Sequence, residues 1–118
     1  MDAGAEYIMT QMFFDNQKFF NYVQLCRDNG INVPIIPGLK PITSKKQLSI
    51  LPRIFHVDIP TDLSNEIMKC RTDEDCEKVG AEWLIQQSKE LKEFGVPVLH
   101  YYTLGKPKVI WNVVKKII

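Results

Sequence analysis

The stretch YIMTQMFF, residues 7–14, decides how the rest of the chain is read. It is short, apolar, and rich in aromatic and β-branched side chains. Those properties fit a strand buried on both faces, as strands of parallel sheets are. Asp15 or Asn16 can cap the segment that follows. From residue 17 to 29, Phe19, Phe20, Tyr22, Val23 and Cys26 recur at helical spacing, and Asn29 with Gly30 stops that helix. INVPIIP, residues 31–37, reads as a second short buried strand, broken by Gly38.

Further along, Thr43 or Ser44 is a candidate cap for a helix over residues 45–54, which Pro52 should kink or end. Asp58, Ile59 and Pro60 start another short helix that runs to Lys69. Thr72 opens an acidic first turn, Asp73, Glu74 and Asp75, suited to the positive end of a helix dipole. That helix continues to Phe94 and Gly95 stops it. VPVLHYYTL, residues 96–104, is the third strand, and Pro107 takes the first position of a last helix through Ile118. Strands alternating with amphipathic helices in the order β-α-β-α-α-α-β-α define an α/β fold with a parallel sheet.

Three strands are few for a complete domain of this kind. A parallel sheet needs both faces covered and both edges protected. The expectation is therefore an incomplete domain, either completed by a missing N-terminal part or self-associating through its strand edges.

Composition narrows the function classes. The 118 residues carry 15 basic against 14 acidic side chains, for a net charge of +1. So even a balance leaves no electrostatic footprint for nucleic acid or an acidic membrane. The basic cluster Lys106, Lys108, Lys115 and Lys116 reads as the solvated face of the last helix. No apolar run approaches the ~20 residues that cross a bilayer. Cys26, Cys70 and Cys76 are odd in number and irregular in spacing, which favours a reducing, cytoplasmic setting over a disulfide framework. The two histidines stand singly, so no metal site is expected.

Chemistry-bearing residues gather at the C-terminal ends of the strands. Gln11 must find hydrogen-bond partners if buried, because an unpaired amide costs ~1–3 kcal/mol. It can bond neighbouring backbone, or it can read a ligand carrying donors and acceptors. Pro37, Gly38, Leu39, Lys40 and Pro41 form a tight loop that turn chemistry alone explains. Gln47 follows on a helix where its first turns can face the strand ends. Tyr101, Tyr102 and Lys106 close the third strand, and Lys106 can be solvated or can pair an anionic ligand tail.

Three of these pieces carry a family resemblance. TQMFFD at residues 10–15, IIPGLKPIT at 35–43 and HYYTLGK at 100–106 resemble, in this order and spacing, segments of the methylenetetrahydrofolate reductases, with DIP at 58–60 between the last two. The resemblance spans nearly the whole chain. It implies the C-terminal three βα units of a (β/α)8 TIM barrel, with parallel strands, helices outside, and the N-terminal part of the catalytic domain absent. It also implies non-covalent FAD, a donor that is NADH or NADPH, and reduction of 5,10-methylenetetrahydrofolate to 5-methyltetrahydrofolate, in one-carbon and methionine metabolism.

Residue by residue, Gln11 matches a glutamine that contacts folate and the nicotinamide donor, and Gln47 matches a helix glutamine that contacts folate. Lys106 stands where bacterial members carry arginine, keeping the charge but not the bidentate fork. Leu51 stands where some members place a stacking aromatic. Tyr102 and Leu104 line the same site. The acid glutamate and most of the FAD site fall outside this chain, so none of its residues is assigned a catalytic role. Glu6, Glu66, Asp73, Glu74 and Asp75 read as surface carboxylates. A competing reading makes the isolated chain a non-catalytic, self-associating piece that binds no flavin.

Overall fold

The computed structural model describes residues 7–102 and 107–117. In chain order the elements are β1 (Ile8–Met12), α1 (Asn16–Asp28), β2 (Ile35–Leu39), α2 (Gln47–Phe55), α3 (Thr61–Met68), α4 (Asp73–Phe94), β3 (His100–Tyr101) and α5 (Pro107–Ile117). The three strands are parallel and lie side by side in the order β1-β2-β3. The expected sequence of strands and helices is observed.

Local chemistry sets most boundaries. The Asp15 carboxylate accepts the Gln17 N–H at 3.0 Å and so caps α1. Thr72 does the same for α4, accepting from the Asp75 N–H, with three acidic residues in the first turn. Pro52 lies inside α2, and the helix ends three residues later, where His56 turns left-handed and donates its N–H to the Pro52 carbonyl at 3.0 Å. Neither Thr43 nor Ser44 caps α2. A turn at residues 44–46 leads in and Lys46 holds the cap position without a side-chain bond.

Two strand expectations need correction. The second strand is Ile35–Leu39, so Pro37 and Gly38 lie within it rather than in a loop after it. The third strand is only His100–Tyr101, extended by one bond from the Tyr102 N–H to the Leu39 carbonyl.

Pro37 has no donor for the ladder; the Pro34 carbonyl and the Gly38 N–H face β1, so the missing donor lies on the β3 side. Register runs Ile8 to Ile35 and Met9 to Ile36, then jumps to Met12 opposite Gly38. Thr10 and Gln11 together therefore oppose Pro37 in a β-bulge. The Gly38 N–H instead finds the Thr10 hydroxyl at 3.0 Å. Gly38 is required by close approach, since a Cβ there would stand 2.6 Å from the Thr10 carbonyl oxygen and 2.8 Å from the Tyr102 ring.

Two apolar clusters form the core. In the first, Ile35 and Leu39 of β2 pack with Phe19 and Cys26 of α1, Leu84 and Leu91 of α4, and Ile110 and Val113 of α5, with Ile8 and Tyr101 against them. In the second, Met12 at the end of β1, with Phe14 and Ile42 just past the ends of β1 and β2, packs with Leu51, Leu63, Ile67, Cys70 and Cys76. The β1 residues that alternate with this core, Met9 and Gln11, are exposed. The first strand is thus buried on one face, not on both. Among the described residues, no helix is long and apolar enough to cross a membrane.

Candidate functional site

Gln11 lies at the bulge in β1. It is exposed, and its Oε1 accepts the N–H of the next residue, Met12, at 3.0 Å. No described residue accepts from its Nε2. The apolar run implied a buried glutamine; Gln11 is exposed, and it makes the bond to neighbouring backbone that was one of its two readings. It stands on the wall of an open cleft of about 510 Å³, with its amino group free to donate.

Apolar side chains dominate the wall around it: Met9, Met12, Phe13, Phe19 and Phe55. Asp15, Lys18 and Asp58 add charge to the lining, and Lys18 and Asp58 form an ion pair. A largely apolar wall with a few polar groups is suited to a partly polar ring system.

Gln47 opens α2 and is half-buried. Its Oε1 accepts from the Thr43 N–H at 2.7 Å and from the Lys40 ammonium at 3.3 Å, and its Nε2 donates to the Thr43 hydroxyl at 3.0 Å. Thr43 therefore anchors the carboxamide from both sides. Gln47 is held in place rather than free in solvent, and it does not line the cleft that carries Gln11.

Lys40, which had read as part of a turn, is 3% exposed. Its ammonium donates to the Pro41 carbonyl at 2.7 Å and to Gln47. Burial pulls its pKa down to about 8. Sequence reasoning missed this role, because a lysine between Leu39 and Pro41 reads equally well as a solvated turn residue.

Leu51 is buried in the second core cluster, and Tyr102 packs on that cluster with its hydroxyl donating to the Thr10 carbonyl at 3.3 Å. Leu104 and Lys106 lie outside the described residues. The cysteines are buried and free. Burial, with a hydrogen bond to Cys70, pushes the Cys76 thiol up to about 11, which leaves it a packing group rather than a nucleophile. Among the described residues, no group of three or more His, Cys, Asp or Glu side chains is placed to hold a metal ion.

Parallel strands in sequence order, with polar side chains presented at their C-terminal ends, define the class of α/β proteins that build ligand sites at that end of the sheet. The chain belongs to the methylenetetrahydrofolate reductase family, whose profile matches residues 1–118. A relative named probable methylenetetrahydrofolate reductase (NADPH), from Caenorhabditis elegans, is 31% identical over 98% of this chain and 18% of its own length. The Arabidopsis thaliana methylenetetrahydrofolate reductase (NADH) 1 is 33% identical over 92% of this chain and 18% of its own length. The 5,10-methylenetetrahydrofolate reductase of Buchnera aphidicola is 34% identical over 95% of this chain, which spans 39% of that relative. A solved structure from Clostridium thermocellum, described as binding two copies of 5-methyl-5,6,7,8-tetrahydrofolic acid, is similar in fold. It has a TM-score of 0.53 and 20% identity over 97% of this chain and 43% of its own.

Proposed function

We propose that the protein containing this chain reduces 5,10-methylenetetrahydrofolate to 5-methyltetrahydrofolate, with NADH or NADPH as donor and FAD as hydride carrier. In this reading the chain supplies three βα units of a (β/α)8 barrel and one wall of the site shared by folate and nicotinamide. Gln11 carries the proposal, because it is the exposed polar group on an apolar cleft wall at a strand end. In this reading Gln47 and Lys106 contact the folate and Tyr102 and Leu104 line its pocket, while Leu51, buried in the second core cluster, backs that lining rather than touching the ligand. The family match, the donors in the relatives' names and the folate bound by the Clostridium protein support it. The expected compartment is the cytoplasm.

FAD would supply the two-electron carrier between donor and folate. The described residues fit a ring face but not the cofactor's diphosphate. The α1 N-terminus that opens on the cleft is closed by the Asp15 carboxylate, and Asp58 stands nearby. Lys18 is paired with Asp58 and the helix N-terminus with Asp15, which leaves no free cation or open N–H cluster among the described residues of this cleft for a diphosphate, so in this reading the flavin bed belongs to another part of the protein. No residue of this chain is given a proton-transfer role. What the chain does is orient: it offers Gln11 to the donor and folate in turn and lays an apolar wall beside them.

The bare face of β1 and the two strand edges are then covered by the rest of the barrel. A second reading, in which the isolated chain is a flavin-free piece that self-associates, is favoured by those same edges. Purified full-length protein is expected to show flavin absorbance and to oxidise NADH or NADPH in the presence of the folate. Gln11→Ala should raise KM for both substrates by roughly tenfold, the worth of one well-placed hydrogen bond. A full-length protein without flavin, or an unchanged KM in the variant, refutes the proposal. The isolated chain is expected to bind no flavin and to scatter light as an oligomer.

A further inference from the structure

Lys40 presents a physical problem. It follows β2 directly, is 3% exposed, and makes no ion pair with any described residue. A buried cation without a carboxylate is costly, and a methionine or leucine would fill the same volume without that cost. The ammonium must do something that an apolar side chain cannot.

Its contacts say what. The Gln47 Oε1 receives two donors, the Thr43 N–H and the Lys40 ammonium, which fill both of its lone pairs. Nε2 spends one hydrogen on the Thr43 hydroxyl. One Nε2 hydrogen is left, with no acceptor among the described residues. Reversing the carboxamide would press an NH2 group against an ammonium and a backbone N–H, so the cation permits only one orientation. A positive charge on the oxygen also polarises the amide and strengthens the remaining donor.

We propose that Lys40 is a positioning residue that locks the Gln47 carboxamide oxygen inward, so that Gln47 offers the folate a single polarised N–H and recognises a hydrogen-bond acceptor on it. The inference rests on the placement of Gln47 in the folate site. It adds which group of Gln47 is used and what holds it there.

The test uses the full-length flavoprotein with 5,10-methylenetetrahydrofolate, comparing Gln47→Ala, Lys40→Met and the double variant. Each single variant should raise KM for the folate by about tenfold, the range for losing one charge-assisted bond, with kcat falling less than KM rises. The double variant should be no worse than the poorer single one, because both remove the same contact. Gln47→Glu gives a second reading that does not depend on how Lys40→Met folds. Its carboxylate still accepts from Thr43 and Lys40, but its donor is gone, so KM should rise as in Gln47→Ala. A wild-type KM for Lys40→Met or for Gln47→Glu, or additive losses in the double variant, overturns the positioning role while leaving Gln47 in the site. A wild-type KM for Gln47→Ala overturns both the inference and the assignment of Gln47.

Discussion

Gly80, midway along α4, lies against the backbone of Ile42 so closely that a methyl group there would stand 1.9 Å from the Ile42 carbonyl oxygen. The atoms in the way are main chain and cannot swing aside. Gly80→Ala should therefore force α4 away from the segment after β2 and lower stability by at least about 2 kcal/mol, as overpacking of a filled core does. Thermal or urea unfolding of the variant measures it. A change below half a kilocalorie would mean that the helix slides freely.

The Asp15 cap is a smaller and more specific contribution. Asp15→Ala removes the acceptor for the Gln17 N–H and should cost about 1 kcal/mol, whereas Asp15→Asn should retain most of it. Denaturant unfolding of the pair separates the hydrogen bond from the charge.

At the β1 bulge the Thr10 hydroxyl takes the Gly38 N–H in place of a main-chain carbonyl. Thr10→Val keeps the shape but withdraws the acceptor from the Gly38 N–H, at a cost of about 1–3 kcal/mol for a buried donor left unmet. Thr10→Ser should be nearly silent. Amide hydrogen exchange at Gly38 should accelerate in the valine variant and not in the serine variant.

Lys40 should trade stability for its function. Its pKa falls from an ordinary 10.5 to about 8 on burial. Between those values the unfolded chain binds more protons than the folded one, so this group's contribution to stability rises with pH across that window. Below pH 8 the penalty is present in full. Lys40→Met should thus be the more stable protein at pH 7, by about 1–3 kcal/mol, with the gap closing above pH 10.5. Urea titrations of both proteins at the two pH values decide it. A less stable variant at pH 7 would show that the two hydrogen bonds outweigh the desolvation.

The order of elements was legible in the sequence because helix signals here are local. Asp15, Thr72 and Gly95 each fix a terminus from within a few residues. The strands were harder, since their limits depend on neighbours. Proline and glycine at residues 37 and 38 read as a break, yet partners on both sides hold them in β2. Gln11 was identifiable as a strand-end residue, and its exposure follows the alternation that also exposes Met9, whereas the bulge beside it depends on the pairing with β2. Lys40 was hidden because nothing in a linear pattern distinguishes a solvated loop lysine from one that turns inward to a glutamine seven residues on.

The strands stand across the sheet in the order in which the ribosome makes them. Within this chain each new strand therefore docks on one already present, after one helix for β2 and after three for β3. Synthesis itself can act as the assembly sequence, one unit seated before the next emerges, so that no long-range search is needed inside this chain.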